Sequence, residues 1–470
     1  MKKGVILESL LMETMAAEGK CVARHEGRVV FTTGCAPGDV ADVEVIKVKS
    51  NYLEGRAVSI RSFSRERAEP FCGHFGLCGG CSWQHIRYDR QLEYKQQQVY
   101  DNLARIGGLE LPAINPILGS GLTREYRNRL DFTFTASRWM MREELDAGGV
   151  MGQPGLGYHI PRMYDRVFDL EHCHLMDQPS NTIRSLVREL AVRESIPFFD
   201  LRKQVGFLRT LTVRSTTAGA HMVILQVAYD EQRWVDLILQ AIADEVPAAV
   251  SLNYIINGKR NDTFADLEVI TWKGTPWITE LMQRPRGDGN LQFRIGPKSF
   301  YQTNPRQAEV LYRTAWAFAE LTGNELVYDL YTGTGTIANY VAADAAKVVG
   351  LEYVEAAVAD ARINADLNGT KNTTFHAGDM KDLLTEQFIS IHGSPDVVIT
   401  DPPRAGMHED VVKMLLSVSP RRIVYVSCNP ATQARDLKIL SADYRITAVQ
   451  PVDMFPQTMH VENVVGLVKR

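Results

Sequence analysis

The chain has 470 residues, too many for a single hydrophobic core, so we expect two to four domains. Hydrophobic residues make up 45% and charged residues 23%, as in ordinary soluble globular proteins. The net charge of −4 excludes a generally basic, nucleic-acid-coating protein. No apolar run is long enough to cross a bilayer and no signal peptide is recognisable, so we expect a cytoplasmic protein without membrane contact.

Residues 1–62 predict a small antiparallel β-barrel. Turn residues separate four strand-like runs at 20–24, 28–32, 40–47 and 54–60. Barrels of this oligonucleotide-binding type often hold single-stranded RNA, but many are only spacers. The pattern alone leaves both roles open.

Residues 63–290 predict an α+β domain without a regular βαβ alternation. A helix is expected at 89–106, ended by Gly107-Gly108. Further strands are expected at 126–135, 209–215 and 222–229, and further helices at 181–194 and 231–243. Five arginines lie between Arg124 and Arg142, and from charge alone a solvated strand face is the favoured interpretation of this patch.

Four cysteines have a spacing typical of metal ligands. Cys72, Cys78 and Cys81 form a Cys-x5-Cys-x2-Cys cluster, and Cys173 follows much later beside two histidines. Four thiolates suit a tetrahedral zinc ion or a [4Fe–4S] cluster, and the spacing does not decide between the two. It differs from the Cys-x3-Cys-x2-Cys of radical SAM (S-adenosylmethionine) enzymes. Cys21 and Cys35, by contrast, have small or apolar neighbours and are expected to pack in the barrel.

From residue 291 to 470, strand-like and helix-like runs alternate. Strands are expected at 326–330, 347–351, 373–376, 396–400 and 421–427, with helices such as 354–367 and 408–417 between them. This alternation predicts a doubly wound, Rossmann-like parallel sheet with helices on both faces.

A glycine-rich turn follows the first of these strands. Tyr331, Gly333 and Thr336 belong to Asp-Leu-Tyr-Thr-Gly-Thr-Gly-Thr, whose glycines allow close approach to a nucleotide ligand. Glu352, about 20 residues on, is placed to accept ribose hydroxyls, and Asp379 after the third strand to accept an adenine amino group. The turn and Glu352 suit NAD as well as SAM.

Two later strands end in residues that favour methyl transfer. Asp401-Pro402-Pro403-Arg404 resembles the Asp/Asn-Pro-Pro turn of SAM-dependent nucleic-acid methyltransferases, which favours SAM over NAD. Cys428 ends the fifth strand at the same edge of the sheet. A lone cysteine is more often a small buried residue, but a thiolate that adds to carbon 6 of a uracil activates carbon 5 for methylation. A base must then remove the hydrogen at carbon 5, and position leaves Glu462 and His460 almost equal.

Four motifs together resemble the RNA 5-methyluridine methyltransferases, most closely the iron–sulfur enzymes that act on 23S rRNA. They are Asp-Pro-Pro-Arg (401–404), Ser-Cys-Asn-Pro-Ala-Thr (427–432), Phe-Pro-Gln-Thr-Met-His-Val-Glu (455–462) and Phe-Tyr-Gln-Thr-Asn (300–304). The resemblance implies Cys428 as nucleophile and Glu462 as base. It also implies a SAM site formed by Gln302, Tyr331, Gly333, Thr336, Glu352, Asp379 and Asp401.

The same resemblance implies a TRAM domain at 1–62, a central domain at 63–290 and a methyltransferase domain at 291–470. We expect the helix at 89–106 to pack on the methyltransferase domain, as its counterpart does in these relatives. The resemblance also favours [4Fe–4S] over zinc at Cys72, Cys78, Cys81 and Cys173, and places 126–129 near the RNA. Many members have Asn where this chain has Thr336, which puts that contact in doubt.

Several alternatives stay open at this point. Transfer RNA is an alternative substrate to ribosomal RNA. Cytosine-5 methylation is disfavoured because Arg404, and no cysteine, follows the prolines. A non-catalytic iron–sulfur RNA-binding protein would not need the complete set of Gln302, Asp401, Cys428 and Glu462. We expect a monomer.

Overall fold

The amino-terminal sheet of the computed structural model, which describes residues 2–161 and 163–470, curls into a barrel. Met1 of the predicted first domain lies outside this range. The barrel strands are β1 (Ile6–Leu11), β2 (Thr14–Met15), β3 (Cys21–His25), β4 (Arg28–Thr33), β5 (Val40–Val48) and β6 (Tyr52–Ser62), in the order β1-β5-β6-β4-β3-β2. Alternate residues of β5 are buried, because successive side chains of a strand point to opposite faces. The sequence predicted four of the six strands; β1 and β2 are additional.

The second sheet forms the central part of the chain. It is preceded by helix α1 (Tyr88–Tyr100), which continues as a π-helical turn over Asp101–Ile106. The strands have the order β13-β12-β11-β10-β7-β8-β9. They are β7 (Arg129–Thr135), β8 (Gly155–His159), β9 (Val167–Asp169), β10 (Leu208–Ser215), β11 (His221–Val227), β12 (Ala249–Ile256) and β13 (Ile270–Gly274). Helices α2 (Arg142–Asp146), α3 (Ser180–Arg193) and α4 (Gln232–Glu245) accompany them, and the hairpin β14 (Ile278–Gln283) and β15 (Asn290–Ile295) follows.

The third sheet has the order β18-β17-β16-β19-β20-β22-β21, in which only β22 runs opposite to the other six strands. Its strands are β16 (Leu326–Leu330), β17 (Lys347–Glu352), β18 (Thr373–Ala377), β19 (Val397–Thr400), β20 (Arg422–Ser427), β21 (Tyr444–Val452) and β22 (Glu462–Lys469). The helices are α5 (Pro305–Ala319), α6 (Thr336–Val341), α7 (Glu355–Leu367), α8 (Met380–Leu383), α9 (Glu386–His392), α10 (Glu409–Val418) and α11 (Pro430–Leu440). The predicted barrel, α+β and Rossmann-like fold classes are confirmed.

Helix α1 crosses from the central part of the chain to the third sheet. Val99 and Leu103 pack in the same apolar core as Tyr328 and Leu437. At the other end of the helix, Lys95 is fully buried and donates to Asp453 over 2.6 Å. The segment between β21 and β22 is thus fixed by the helix.

Among residues 2–161 and 163–470, no helix combines the length and hydropathy needed to cross a bilayer.

Candidate active site

The glycine turn lies where β16 passes into α6. Tyr331 and Gly335 both have positive φ, +63° and +75°, so the chain reverses tightly here. A Cβ at position 335 would lie 2.9 Å from the Cβ of Ala361, which leaves room only for glycine. The amide of Gly333 donates to Glu352 Oε2 over 3.0 Å. One predicted acidic residue is therefore joined directly to the turn.

The side chain of Asp329, which the sequence analysis did not select, accepts two hydrogen bonds from this turn and the helix after it. Its Oδ2 accepts from the hydroxyl of Thr332 and, over 3.0 Å, from the amide of Ala338, while Oδ1 is buried without a partner. Burial is the largest cause that raises the pKa of Asp329 to about 7, followed by the charges of Asp401 and Glu352. The sequence did offer one sign of this residue, because an acidic side chain stands one position before the end of an otherwise apolar strand.

Asp401 follows β19 at the same edge of the sheet. The register Leu330↔Thr400 places the residues after β16 and β19 side by side. Burial raises the pKa of the Asp401 carboxyl to about 7. No hydrogen bond among the described residues reaches this carboxyl, and the residue is partly exposed, so the carboxyl is available to a ligand.

Gln302 reaches this edge from the segment before α5. Its backbone carbonyl accepts from Asn128 Nδ2 over 3.1 Å, which ties it to the central sheet. Its side chain meets the buried Tyr312 of α5, and this hydrogen bond lowers the Tyr312 pKa against the larger raising effects of burial and of Asp401. Tyr312, like Asp329, is a residue near Asp401 that the sequence analysis missed, because helical periodicity identifies Tyr312 only as a core residue.

Cys428 and Glu462 face each other at the end of an antiparallel pair of strands. Ser427 of β20 pairs with Asn463 of β22, so the next residues outward are Cys428 and Glu462. Cys428 is half-buried and unpaired, whereas Glu462 is only 4% exposed. The strand register therefore brings together a thiol and a carboxyl that are 34 positions apart in the sequence.

The charges around this pair favour the neutral forms of both groups. Burial, then the charges of Glu462 and Asp401, raise the pKa of Cys428 to about 11, and Arg404 opposes them. Burial, then Asp401, raise the pKa of Glu462 well above its ordinary value. A nearby positive charge would favour loss of either proton, which suits a cationic methyl donor at this edge of the sheet.

His460 has a different environment from Glu462. Burial, followed by the charges of Arg404, Lys95 and Arg127, lowers the pKa of His460 to about 4. Its ring lies 6.4 Å from that of Phe455. The histidine borders a groove shared with the central sheet and does not occupy the strand position opposite Cys428.

The remaining predicted SAM contacts lie around the glycine turn. Thr336 opens α6, and its hydroxyl is 3.3 Å from that of Thr334. Asp379 caps α8 by accepting from the amide of Lys381 over 3.2 Å. The Thr336 hydroxyl therefore lies within hydrogen-bonding distance of another hydroxyl of the same turn.

The four cysteines of the predicted metal site line one cavity. The lining includes Cys72, Cys78, Cys81 and Cys173. Burial is the largest cause that raises the pKa of Cys81 to about 12, and the charges of the other three thiolates add to it. Nevertheless, no group of three or more His, Cys, Asp or Glu side chains in residues 2–161 and 163–470 has an arrangement suited to hold a metal ion. The structure therefore gives a common cavity for these thiols but no formed metal site.

The arginine patch divides into two groups. Arg129, Arg138 and Arg142 are bound to Asp131, Glu144 and Asp146. Arg124 and Arg127 instead lie over aromatic rings, 3.8 Å from the centre of Phe71 and 5.9 Å from that of Phe455. Within this patch, Arg124 and Arg127 are therefore the two arginines that form no ion pair with a carboxylate of the described residues.

Comparisons with known families match both ends of the chain. Residues 277–470 match the family model described as tRNA (uracil-5-)-methyltransferase, and residues 10–58 match the TRAM domain. The first match contains the glycine turn, Asp401, Cys428 and Glu462.

The relatives that match over nearly the whole chain are described as RNA methyltransferases. The chain is 52% identical to an uncharacterized RNA methyltransferase of Bacteroides thetaiotaomicron, with 96% of this chain and 99% of that protein covered. It is 54% identical to an uncharacterized RNA methyltransferase of Porphyromonas gingivalis, with coverage of 97% and 98%. Among solved structures, the tRNA (uracil-54, C5)-methyltransferase of Pyrococcus abyssi, in complex with S-adenosyl-L-homocysteine, is 28% identical with a TM-score of 0.73, over 97% of this chain and 99% of that one.

Proposed function

From the premise that the chain belongs to the RNA 5-methyluridine methyltransferase family, a family of SAM-dependent enzymes, we propose that it methylates carbon 5 of a uridine in 23S rRNA through a covalent bond to Cys428. The observation that carries this proposal is the pairing of Cys428 with Glu462 across β20 and β22. The pair lies at the same sheet edge as Asp401 and the glycine turn.

SAM supplies a methyl group activated by its positive sulfonium. The residues proposed to hold it are Gln302, Tyr331, Gly333, Thr336, Glu352, Asp379 and Asp401. The unpartnered Asp329 Oδ1 supports this fit, because it leaves a buried polar atom at the turn without a partner in the protein. Nearby carboxyls with raised pKa suit a cation, whose charge favours their ionised forms.

Cys428 starts the reaction as a thiolate. Its sulfur bonds to carbon 6 of the uracil, and the electrons of the 5,6 double bond become available at carbon 5. Carbon 5 accepts the methyl group, whose bond to the sulfonium sulfur breaks and leaves a neutral thioether. Glu462 then takes the hydrogen at carbon 5 as a proton. The freed electron pair restores the double bond while the carbon–sulfur bond breaks and Cys428 leaves as a thiolate.

The choice of Glu462 over His460 rests on position and charge. Glu462 is opposite Cys428, and its raised pKa makes its ionised form a stronger base. His460 has a lowered pKa and is therefore a weak proton acceptor. Because the reacting face of uracil is covered in a stacked strand, the uridine has to be flipped out to reach the pair.

Ribosomal RNA is the proposed substrate because the chain combines a TRAM domain with four cysteines around one cavity, as in the iron–sulfur 23S rRNA enzymes that it resembles. Transfer RNA is the alternative, and the Pyrococcus abyssi enzyme acts on that substrate. The test is a nucleoside-resolved comparison of both RNAs from cells with and without the gene. Loss of 5-methyluridine only from tRNA would contradict the rRNA assignment, and loss of 5-methylcytidine would contradict uracil as the target.

We also propose that Cys72, Cys78, Cys81 and Cys173 hold a [4Fe–4S] cluster. Four thiols around one cavity supply the ligand set, and a cluster binds each thiolate at a separate iron, so the sulfurs need not crowd around a single ion. A bound cluster would tie the loop after the barrel to the central sheet. Protein purified without oxygen is expected to be brown and to contain about four irons per chain. Colourless protein with one zinc would contradict this.

The domain boundaries near residues 62 and 290, the cytoplasmic location and the monomeric state stay predictions. All seven cysteines are unpaired, which suits a reducing compartment.

A further inference from the structure

Residues 404–407, which we call the arginine turn, follow Asp401 and two prolines at the edge of the third sheet. The turn closes on itself through the amide of Gly406, which donates to the carbonyl of Pro403 over 2.8 Å. Helix α11 begins two residues after Cys428 and contacts this turn through side chains of one face. The helix that follows the proposed nucleophile therefore also holds the segment that follows Asp401.

Two adjacent side chains of α11, Arg435 and Asp436, bind the main chain of the turn. The Asp436 side chain is only 1% exposed, and its Oδ2 accepts from the amide of Met407 over 2.9 Å and from the hydroxyl of Tyr425 over 2.7 Å. Arg435 Nη2 donates to the carbonyls of Ala405 and Met407 over 3.1 and 3.0 Å. The two side chains also form an ion pair over 2.7 Å. Hydrogen bonds to charged groups are the strong ones, so this pair fixes the turn.

Two further side chains hold the beginning of the turn. Asn429 Nδ2 donates to the carbonyl of Arg404 over 3.1 Å, and the hydroxyl of Thr432 donates to the same carbonyl over 3.3 Å. In the middle of the turn, a Cβ at Gly406 would lie 2.7 Å from side-chain atoms of the helix, and φ there is +78°. The main chain of the turn is thus in close contact with α11 along its whole length.

The side chain of Arg404, in contrast to its main chain, is not bound. It is exposed, and it forms no hydrogen bond or ion pair with another side chain among the residues that the structure describes. Its charge lowers the pKa of Cys428 against the larger raising effects of burial, Glu462 and Asp401. A nearby cation favours the thiolate, so the position of this one guanidinium matters for the thiol. That position depends on the main chain that carries it.

These contacts, together with the proposed function on which the inference rests, identify two further residues that serve the reaction. We propose that Arg435 and Asp436 are positioning residues, which hold the arginine turn so that Arg404 keeps its guanidinium near the Cys428 sulfur when the thiolate forms. Their effect on the thiol passes through Arg404. The thiol and the turn thus remain in register because one helix carries the contacts to both.

Alkylation of Cys428 by iodoacetamide in the full chain tests this role, because the reaction requires the thiolate and needs no RNA. Mass spectrometry of the peptide that contains Cys428 separates it from the other cysteines. Arg435→Met removes the contacts to the two carbonyls of the turn. It should lower the alkylation rate at about pH 8 by about threefold to tenfold and move the pH profile upwards. Arg404→Met should have a similar effect, because it removes the cation itself.

The double variant Arg404→Met/Arg435→Met distinguishes positioning from a direct effect. If Arg435 acts only through Arg404, the double variant should be alkylated no more slowly than Arg404→Met alone. Arg421→Met is the matched control, because Arg421 is also about half-exposed and pairs with a buried carboxylate, that of Glu325. Arg421 precedes β20 at the end of the strand away from Cys428, so its replacement should leave the alkylation rate unchanged.

A milder variant covers the case in which Arg435→Met does not fold. Thr432→Val removes one hydroxyl that donates to the turn and should shift the pH profile in the same direction by a smaller amount. An unaltered profile in the folded Arg435→Met protein, or a further loss of rate in the double variant, would refute the positioning role. Methyl transfer by Cys428→Ala would refute the covalent mechanism instead and would not alter these alkylation rates.

Discussion

Replacement of Glu462 by glutamine separates the first chemical step from the last. The side chain keeps its size but loses the ability to take the hydrogen from carbon 5. The substitution also removes a carboxyl whose ionised form raises the pKa of Cys428, so formation of the thiolate becomes easier. The first bond should therefore form while the last cannot break, and the RNA should remain attached to the protein.

The size of the effect follows from the position of Glu462. A general base contributes roughly 10²- to 10⁴-fold to a rate, or about 3–5 kcal/mol of barrier. Glu462 is only 4% exposed, so water has little access to replace it. We therefore expect turnover to fall by about 10³- to 10⁴-fold, in the upper part of that range.

The assay is denaturing gel electrophoresis of labelled RNA after incubation with SAM, with mass spectrometry of the retained band. Glu462→Gln should give an RNA band at the mass of the adduct, and the double variant Cys428→Ala/Glu462→Gln should give none. Glu280→Gln is a matched control, because Glu280 is also buried with a raised pKa but lies in β14. Normal turnover by Glu462→Gln, or its complete failure to retain RNA, would refute the assigned role.

Cys428→Ala should abolish methyl transfer and retain SAM binding, as measured by radiolabel transfer and calorimetry; residual turnover would exclude the covalent route. Because burial and nearby carboxyls raise the pKa of Cys428 to about 11, each unit by which the pH rises towards that value increases the thiolate fraction about tenfold. Single-turnover methyl transfer by the unaltered protein should therefore rise steeply between about pH 7 and 9, and a flat profile would contradict a thiol with a raised pKa. Lys95→Met leaves the fully buried Asp453 carboxylate without its cation, with only the hydroxyl of Tyr88 and the amide of Phe455 as donors, and should lower the free energy of unfolding in urea by about 3–5 kcal/mol. The double variant Lys95→Met/Asp453→Leu should recover part of this loss, and additive losses would argue against direct pairing. Gly335→Ala should lose SAM affinity in calorimetry, because its Cβ meets that of Ala361 and φ is positive; unchanged affinity would show that the turn adapts.

Local pattern was sufficient for most of the fold. In the third sheet, apolar runs between helices predicted β16 to β20 to within one residue at each end, because a buried parallel strand needs a continuous apolar run. In the barrel, β1 and β2 were missed. β2 has only two residues, and the burial of β1 follows no regular alternation, so neither has the period of two that identifies a strand.

The sequence by itself also determined which side chains lie at the edge of the third sheet, because parallel strands end at a common edge and the residues after them follow directly. It identified the glycine turn, Asp401 and Cys428 in this way. Position in the sequence did not separate Glu462 from His460, which are two positions apart, and only the family resemblance favoured Glu462. Only the register of β20 against β22 decided which of them faces Cys428, since strand pairing is a long-range property.

Tertiary structure alone decided the contacts made across distant segments. The cysteine loop and Cys173 meet around one cavity, and Arg127 meets the segment before β22 in a shared groove. Asp329 acquires its raised pKa from burial under the turn, which no local pattern records. Sequence patterns report the period and ends of each element, whereas burial and electrostatic environment arise only when elements from different parts of the chain pack together.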